Sequence, residues 1–235
     1  MKNIVQLLIV LSFILGACND LIDCEEGKGA IVSRTLSLDN FNSLQLSGSD
    51  KLYISQGAEQ EVVVEGQQNI IDLISLDVQT GLWDIHIRGC IRRHEPLVYY
   101  VTLPEISLLS LSGSGDIVGE NTLSATNLKL KVTGSGAIFV DLDASVDAEI
   151  TGSGEINLSG EAESADVKLT GSGTFGAYDL EVDYADLSIE GSGDAFVWVR
   201  DEMNVSIAGS GNVYYKGNPE IDYTISGSGQ LISRN

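Results

Sequence analysis

One tripeptide sets the limits on what this chain can fold into. Gly-Ser-Gly begins at Gly113, Gly134, Gly152, Gly171, Gly191, Gly209 and Gly227, at spacings of 21, 18, 19, 20, 18 and 18 residues. A degenerate copy, Gly48-Ser49-Asp50, stands far upstream. A period of this length marks a repeat architecture in which each unit leans on its neighbours. Aligned on the first glycine, the positions two, four and six residues before it are apolar in 20 of 21 cases, and the three between them in only 2 of 21 (Leu108 and Ala208). That is the period-two alternation of a strand with one buried face, ending at the glycine. The same parity resumes after the motif, where positions four and six are apolar in 12 of 14 cases, as at Ile138 and Val140.

Each repeat therefore reads strand, Gly-Ser-Gly, strand, polar turn. A coil of 18 to 21 residues suits one turn of a β-helix whose rungs stack about 4.8 Å apart. Antiparallel hairpins would need twice as many turn signals, and propeller blades about twice the length. The glycines fall at inward parity, where a missing Cβ lets the chain bend or cross a narrow part of the core. The motif serines can face water or form an inward hydroxyl ladder. Residues 30 to 106 carry the same chemistry with looser spacing: Leu44 to Ile54 resembles a rung, and Glu61 to Glu65 and Leu97 to Leu103 read as further strands. They are expected to be the irregular early coils of one continuous domain. Twenty-six glycines with only three prolines fit tight positions inside regular structure better than a disordered linker.

Three segments carry a more specific resemblance. Arg34-Thr35-Leu36-Ser37-Leu38-Asp39-Asn40-Phe41, Val62-Val63-Val64-Glu65-Gly66 and Val101-Thr102-Leu103-Pro104, followed by the Gly-Ser-Gly rungs, resemble the head GIN domain family, bacterial proteins described as autotransporter adhesins. The resemblance covers about residues 30 to 235. It implies an all-β, single-domain, right-handed parallel β-helix (a β-solenoid) akin to pectin-lyase-like folds but without their catalytic residues, and a role in adhesion. Shared fold does not by itself establish function.

The N-terminus reads as a targeting signal. Lys2 supplies a positive start, and Ile4 to Leu15 is an apolar run too short to span a bilayer. It ends in Leu15-Gly16-Ala17-Cys18, the lipobox pattern in which the cysteine is diacylated and becomes the new N-terminus. An ordinary secretory signal with an incidental cysteine is the alternative. The expected division is a signal peptide over 1–17, a lipidated acidic tether over 18–29 and the β-helix over 30–235, with 107–235 as the regular part. Several acyl chains anchor lastingly where one does not. The expected place is the bacterial cell envelope, on the outer membrane, periplasmic or surface-exposed. Cys24 and Cys90 can form a disulfide clipping the tether to the body, or stay unpaired; spacing does not decide.

A net charge of −21 repels nucleic acid and anionic membrane surfaces, and no basic cluster offsets it, so no nucleic-acid partner is expected. Catalysis is not expected either. The residues just after each motif are Asp116, Ala137, Glu155, Thr174, Asp194, Asn212 and Gln230, so stacked rungs would separate each acid by an uncharged neighbour. That suits a stable ladder and is the opposite of a tight acid pair. The regular Asp of a calcium-binding β-roll is missing, as is an Asp-x-Asp-x-Asp loop; His86 and His94 form no zinc motif, and no Gly-x-Ser-x-Gly elbow occurs. No metal or cofactor is expected.

The site candidate is aromatic. Tyr178, Phe196, Trp198 and Tyr214 fall at outward positions of three successive rungs, where stacking would gather them into an exposed patch. Such a patch fits sugar rings, a cell-surface protein or a subunit interface, unless the corner flips parity and buries it. The last coil ends without a polar cap, and its strand edges call for cover by the early coils or by a second copy, so homo-oligomerisation is a further expectation. The leading expectation is a non-catalytic, lipid-anchored envelope protein, an adhesin or glycan-contacting scaffold tied to the membrane through its N-terminal lipid. The rivals are a polysaccharide-active enzyme with converging carboxylates, and a purely structural, self-associating envelope component.

Overall fold

The computed structural model describes residues 24–235. Cys18 and the signal segment lie outside the described residues. The alternation read from the repeat becomes a stack of parallel rungs. Leu128, Leu130 and Val132 are fully buried, while Lys129 and Lys131 between them face outward. From Ala137 onward the run after one motif continues as strand into the run before the next, giving Ala137–Gly152, Glu155–Gly171, Thr174–Gly191 and Asp194–Gly209. The ladder register shifts between the two motif-flanking runs of several coils, for instance between Asp143 and Val146.

The motif glycines form one column. Gly48, Gly113, Gly134, Gly152, Gly171, Gly191, Gly209 and Gly227 pair in unbroken register, so the degenerate copy belongs to the same line. Two demands keep the residue there. The φ of Gly134 is +122°, which side chains rarely adopt. A Cβ on it would stand 2.4 Å from the Gly113 carbonyl oxygen. That oxygen accepts hydrogen bonds from both Ser135 N–H (2.9 Å) and Gly136 N–H (3.0 Å), so the backbone ladder passes through the corner without a break. The motif serines face solvent, and Ser228 Oγ donates to Ser210 Oγ at 3.0 Å.

The early coils do not stack in chain order. Leu82–Ile85 and Val98–Leu103 lie against Ser43–Gly48 and Lys51–Gln56, on the side away from the Gly113 coil. The first rung laid down by the chain is thus the second in space. Glu61–Gln67, read from its apolar residues as a further coil, instead pairs antiparallel with both Val98–Leu103 and Ile31–Thr35. Its apolar alternation marks a buried face and does not specify the direction of the partner strand. This end is closed by side chains: Phe41 and Trp83 rings stand 5.5 Å apart, Trp83 and Tyr99 6.1 Å. Asp50 takes the place of the third motif glycine, and its carboxylate accepts the Leu97 N–H at 3.0 Å. Burial pushes that carboxyl above the usual range, although the Leu97 N–H works the other way. The tether is held here as well: Cys24 is bonded to Cys90, and Glu25–Glu26 pairs with Ile91–Arg93. At the far end Ile221 and Ile225 are half-buried, and Tyr223, at inward parity, is 59% exposed.

Candidate functional site

Parity places the residue five after each motif's first glycine on the outside of the solenoid, and register turns those residues into a column. Tyr53, Val118, Phe139, Asn157, Gly176, Phe196, Tyr214 and Ile232 follow one another across the rungs, with Tyr100 beside Tyr53 at the end. Side chains directly across parallel rungs stand about one rung spacing apart, so aromatic rings there stack. Phe196 and Tyr214 lie 4.9 Å apart and nearly parallel (8°), and Tyr53 and Tyr100 5.2 Å apart (10°).

Tyr178 reaches the column by a different route. Asn157 faces Gly176 and Ser159 faces Asp179, so the Gly176 coil holds one extra residue at this point, a bulge of the kind that re-aims side chains. The Tyr178 ring meets Phe196 edge-on at 5.4 Å and 76°. Two cations cover the far side of the group: Lys216 Nζ lies 4.4 Å from the Tyr178 ring centre, and Arg234 stands over Tyr214 at 5.1 Å. Burial raises the Tyr178 phenol above its ordinary value, Arg234 opposing and Tyr214 adding. Trp198 pairs with Lys216 in the neighbouring outward column and is 36% exposed. Three of the four aromatics singled out in the sequence therefore form a contiguous ladder, and the fourth flanks it.

Phe139 belongs to the same column and is 40% exposed. Between it and Phe196 stand only Asn157 and Gly176, and this dip is a cleft of about 580 Å³. Its rim carries the carboxylates of Asp141, Glu155 and Asp179. Neither Phe139 nor Gly176 was among the sequence candidates, although the fifth-position column contains both.

The carboxylates follow the alternation on this face. Asp116 lies between Lys51 and Ala137, and Glu155 between Ala137 and Thr174. Asp194 Oδ1 accepts from Asn212 N–H at 2.8 Å and Asn212 Nδ2 at 3.0 Å. The opposite sheet differs, with Asp147, Asp166 and Asp186 on consecutive rungs. Burial, then the charges of Asp186 and Asp147, push the Asp166 carboxyl above the usual range. Lys129 Nζ relieves one end by binding Asp147 at 2.9 Å. Among the described residues no group of three His, Cys, Asp or Glu is arranged to hold a metal ion. His86 and His94 sit apart, each against a backbone carbonyl close in sequence.

Comparison with known proteins places this geometry in context. Residues 40–219 match the family described as "Putative auto-transporter adhesin, head GIN domain". The structure of a "putative adhesin" from Bacteroides fragilis superposes with a TM-score of 0.84 at 22% identity, covering 89% of this chain and 100% of that one. A "putative adhesin" from Parabacteroides merdae gives 0.75 at 20% identity, covering 91% and 100%. A "putative lipid binding protein" from Parabacteroides distasonis gives 0.72 at 22%, again covering 91% and 100%. At these identities the likeness is one of fold. A search of curated proteins finds no match.

Proposed function

The chain belongs to the head GIN domain family, and from that membership together with its outward, half-buried aromatic ladder we propose that it is a non-catalytic, lipid-anchored adhesin of the bacterial cell envelope that contacts surface glycans. The observation that carries this reading is the ladder itself: Tyr178, Phe196 and Tyr214 are held ring against ring on the outside of a rigid sheet, with Trp198 beside them. The ladder rings themselves are half-buried, and the flanking Trp198 and Phe139 are 36% and 40% exposed, a surface that a partner can cover. Rings mounted on stacked strands are also pre-organised, so little side-chain freedom is lost when a partner docks. The pyranose C–H face is a natural partner for such rings. Anchoring through Cys18 would keep the solenoid at the envelope while its side stays free for contact. Adhesin is also the word used for this family and for two of the structural neighbours.

The test is binding of the purified mature domain to whole bacterial and host cells. Replacing Trp198 and Tyr214 by alanine together is expected to lower the bound fraction about tenfold while the melting temperature stays within a few degrees. Binding by the double variant equal to wild type would refute the assignment.

A further inference from the structure

We propose that the cleft over Gly176 is a subsite for an uncharged pyranose of a glycan chain lying along the fifth-position column. This rests on the adhesive reading of the ladder and adds a place and a ligand class to it. Phe139 closes one end of the cleft and Phe196, with Tyr178 edge-on to it, closes the other. The column is aromatic or apolar at every rung from Tyr53 to Ile232 except at Asn157 and Gly176, so the stripe is interrupted at one place only. Gly176 is what lets the Asn157 amide lie across the floor of the interruption. A Cβ there would stand 2.3 Å from Asn157 Oδ1, so the amide occupies space that any side chain at position 176 would take.

The groups around the cleft select among ligand chemistries. Asp141, Glu155 and Asp179 accept hydrogen bonds and repel anions, which disfavours sialylated and uronate sugars on a chain of net charge −21. Lys216 and Arg234 already occupy the cation positions over Tyr178 and Tyr214, so a cationic peptide would compete with the chain's own side chains there. The Asn157 amide offers a donor and an acceptor together, and Ser159 and Thr174 add hydroxyls. A hydroxyl-bearing ring satisfies both kinds of group, while a cation leaves the donors unmatched. A concave site with aromatic side chains at its ends and a few convergent polar groups is a usual form of small-ligand site.

The variant Gly176→Val tests this with little risk to the fold. Gly176 has no positive φ, the only close atoms are the end of the Asn157 side chain, and valine is favoured in strands. The purified domain, Gly176→Val, Phe139→Ala and the opposite-sheet control Ser206→Ala would be applied to an array. Its probes are β-glucan, mannan and N-acetylglucosamine oligomers, sialylated and uronate oligosaccharides, and an oligolysine peptide. The expected result is binding to uncharged oligosaccharides that falls about tenfold or more in Gly176→Val and in Phe139→Ala, with Ser206→Ala equal to wild type. Uncharged-glycan binding that survives both cleft variants but is lost in Trp198→Ala/Tyr214→Ala would overturn the cleft and leave the ladder standing. Preference for the anionic glycans or the peptide would overturn the ligand class. Absence of binding to every probe would overturn both readings.

Discussion

Replacing Gly134 by alanine is expected to cost about 3 kcal/mol or more, because the new Cβ meets the Gly113 carbonyl 2.4 Å away in a backbone conformation that already strains an L-residue. Gly48 has the same kind of φ (+120°) but nothing within 4 Å of an added Cβ, so Gly48→Ala should cost clearly less. Urea unfolding of the two variants separates conformational strain from rung-to-rung contact; equal costs would contradict the close-approach account. At Tyr99 the sign reverses. Its hydroxyl is fully buried and has no hydrogen-bond partner, so Tyr99→Phe should stabilise by about 1 kcal/mol, read as a higher melting temperature. A lower melting temperature would show that the hydroxyl is in fact satisfied.

At the scale of a strand, the column Asp147, Asp166, Asp186 is a standing repulsion. Asp166 is raised above its unfolded value of 3.8, so its protonation favours the folded chain. That contribution is complete below 3.8 and is lost as pH rises through the folded pKa. Asp166→Asn should therefore be more stable than wild type at neutral pH, with the difference closing as pH falls toward the unfolded value. A difference independent of pH would remove the electrostatic cause. This column shows the limit of what the repeat revealed. Aligning on Gly-Ser-Gly made strand parity, rung identity and even the Gly48 copy legible, because side-chain alternation is a local property. The acids just after the motif were read as a ladder, and the structure stacks them so. The acids five residues before the motif are the same kind of signal, and Phe139 and Gly176 lie in a column that the same alignment contains. The order of the first rungs was not legible. Residues 57–106 lack the motif, and apolar alternation at Val62 and Val64 fits a parallel or an antiparallel neighbour equally well.

The whole molecule is a one-dimensional stack in which each rung is stabilised by its two neighbours. Its ends differ: Phe41, Trp83 and Tyr99 pack over one, while Tyr223 stands 59% exposed at the other. Amide hydrogen exchange should accordingly be slowest in the middle coils, around Leu169 and Leu187, and fastest in Glu220–Gly227 and Gln230–Ser233. Uniform exchange along the solenoid would mean that the stack opens as one unit. Glycine column and buried faces build the rod, and the proposal gives the binding to one outward column, on the sheet that follows the motif. The direct measurement is glycan and cell binding by two doubly substituted domains, Phe196→Ala/Tyr214→Ala on the ladder and Asn204→Ala/Ser206→Ala on the opposite sheet. The account predicts about a tenfold loss for the first and wild-type binding for the second. Equal loss in both, or loss in the second alone, would contradict it.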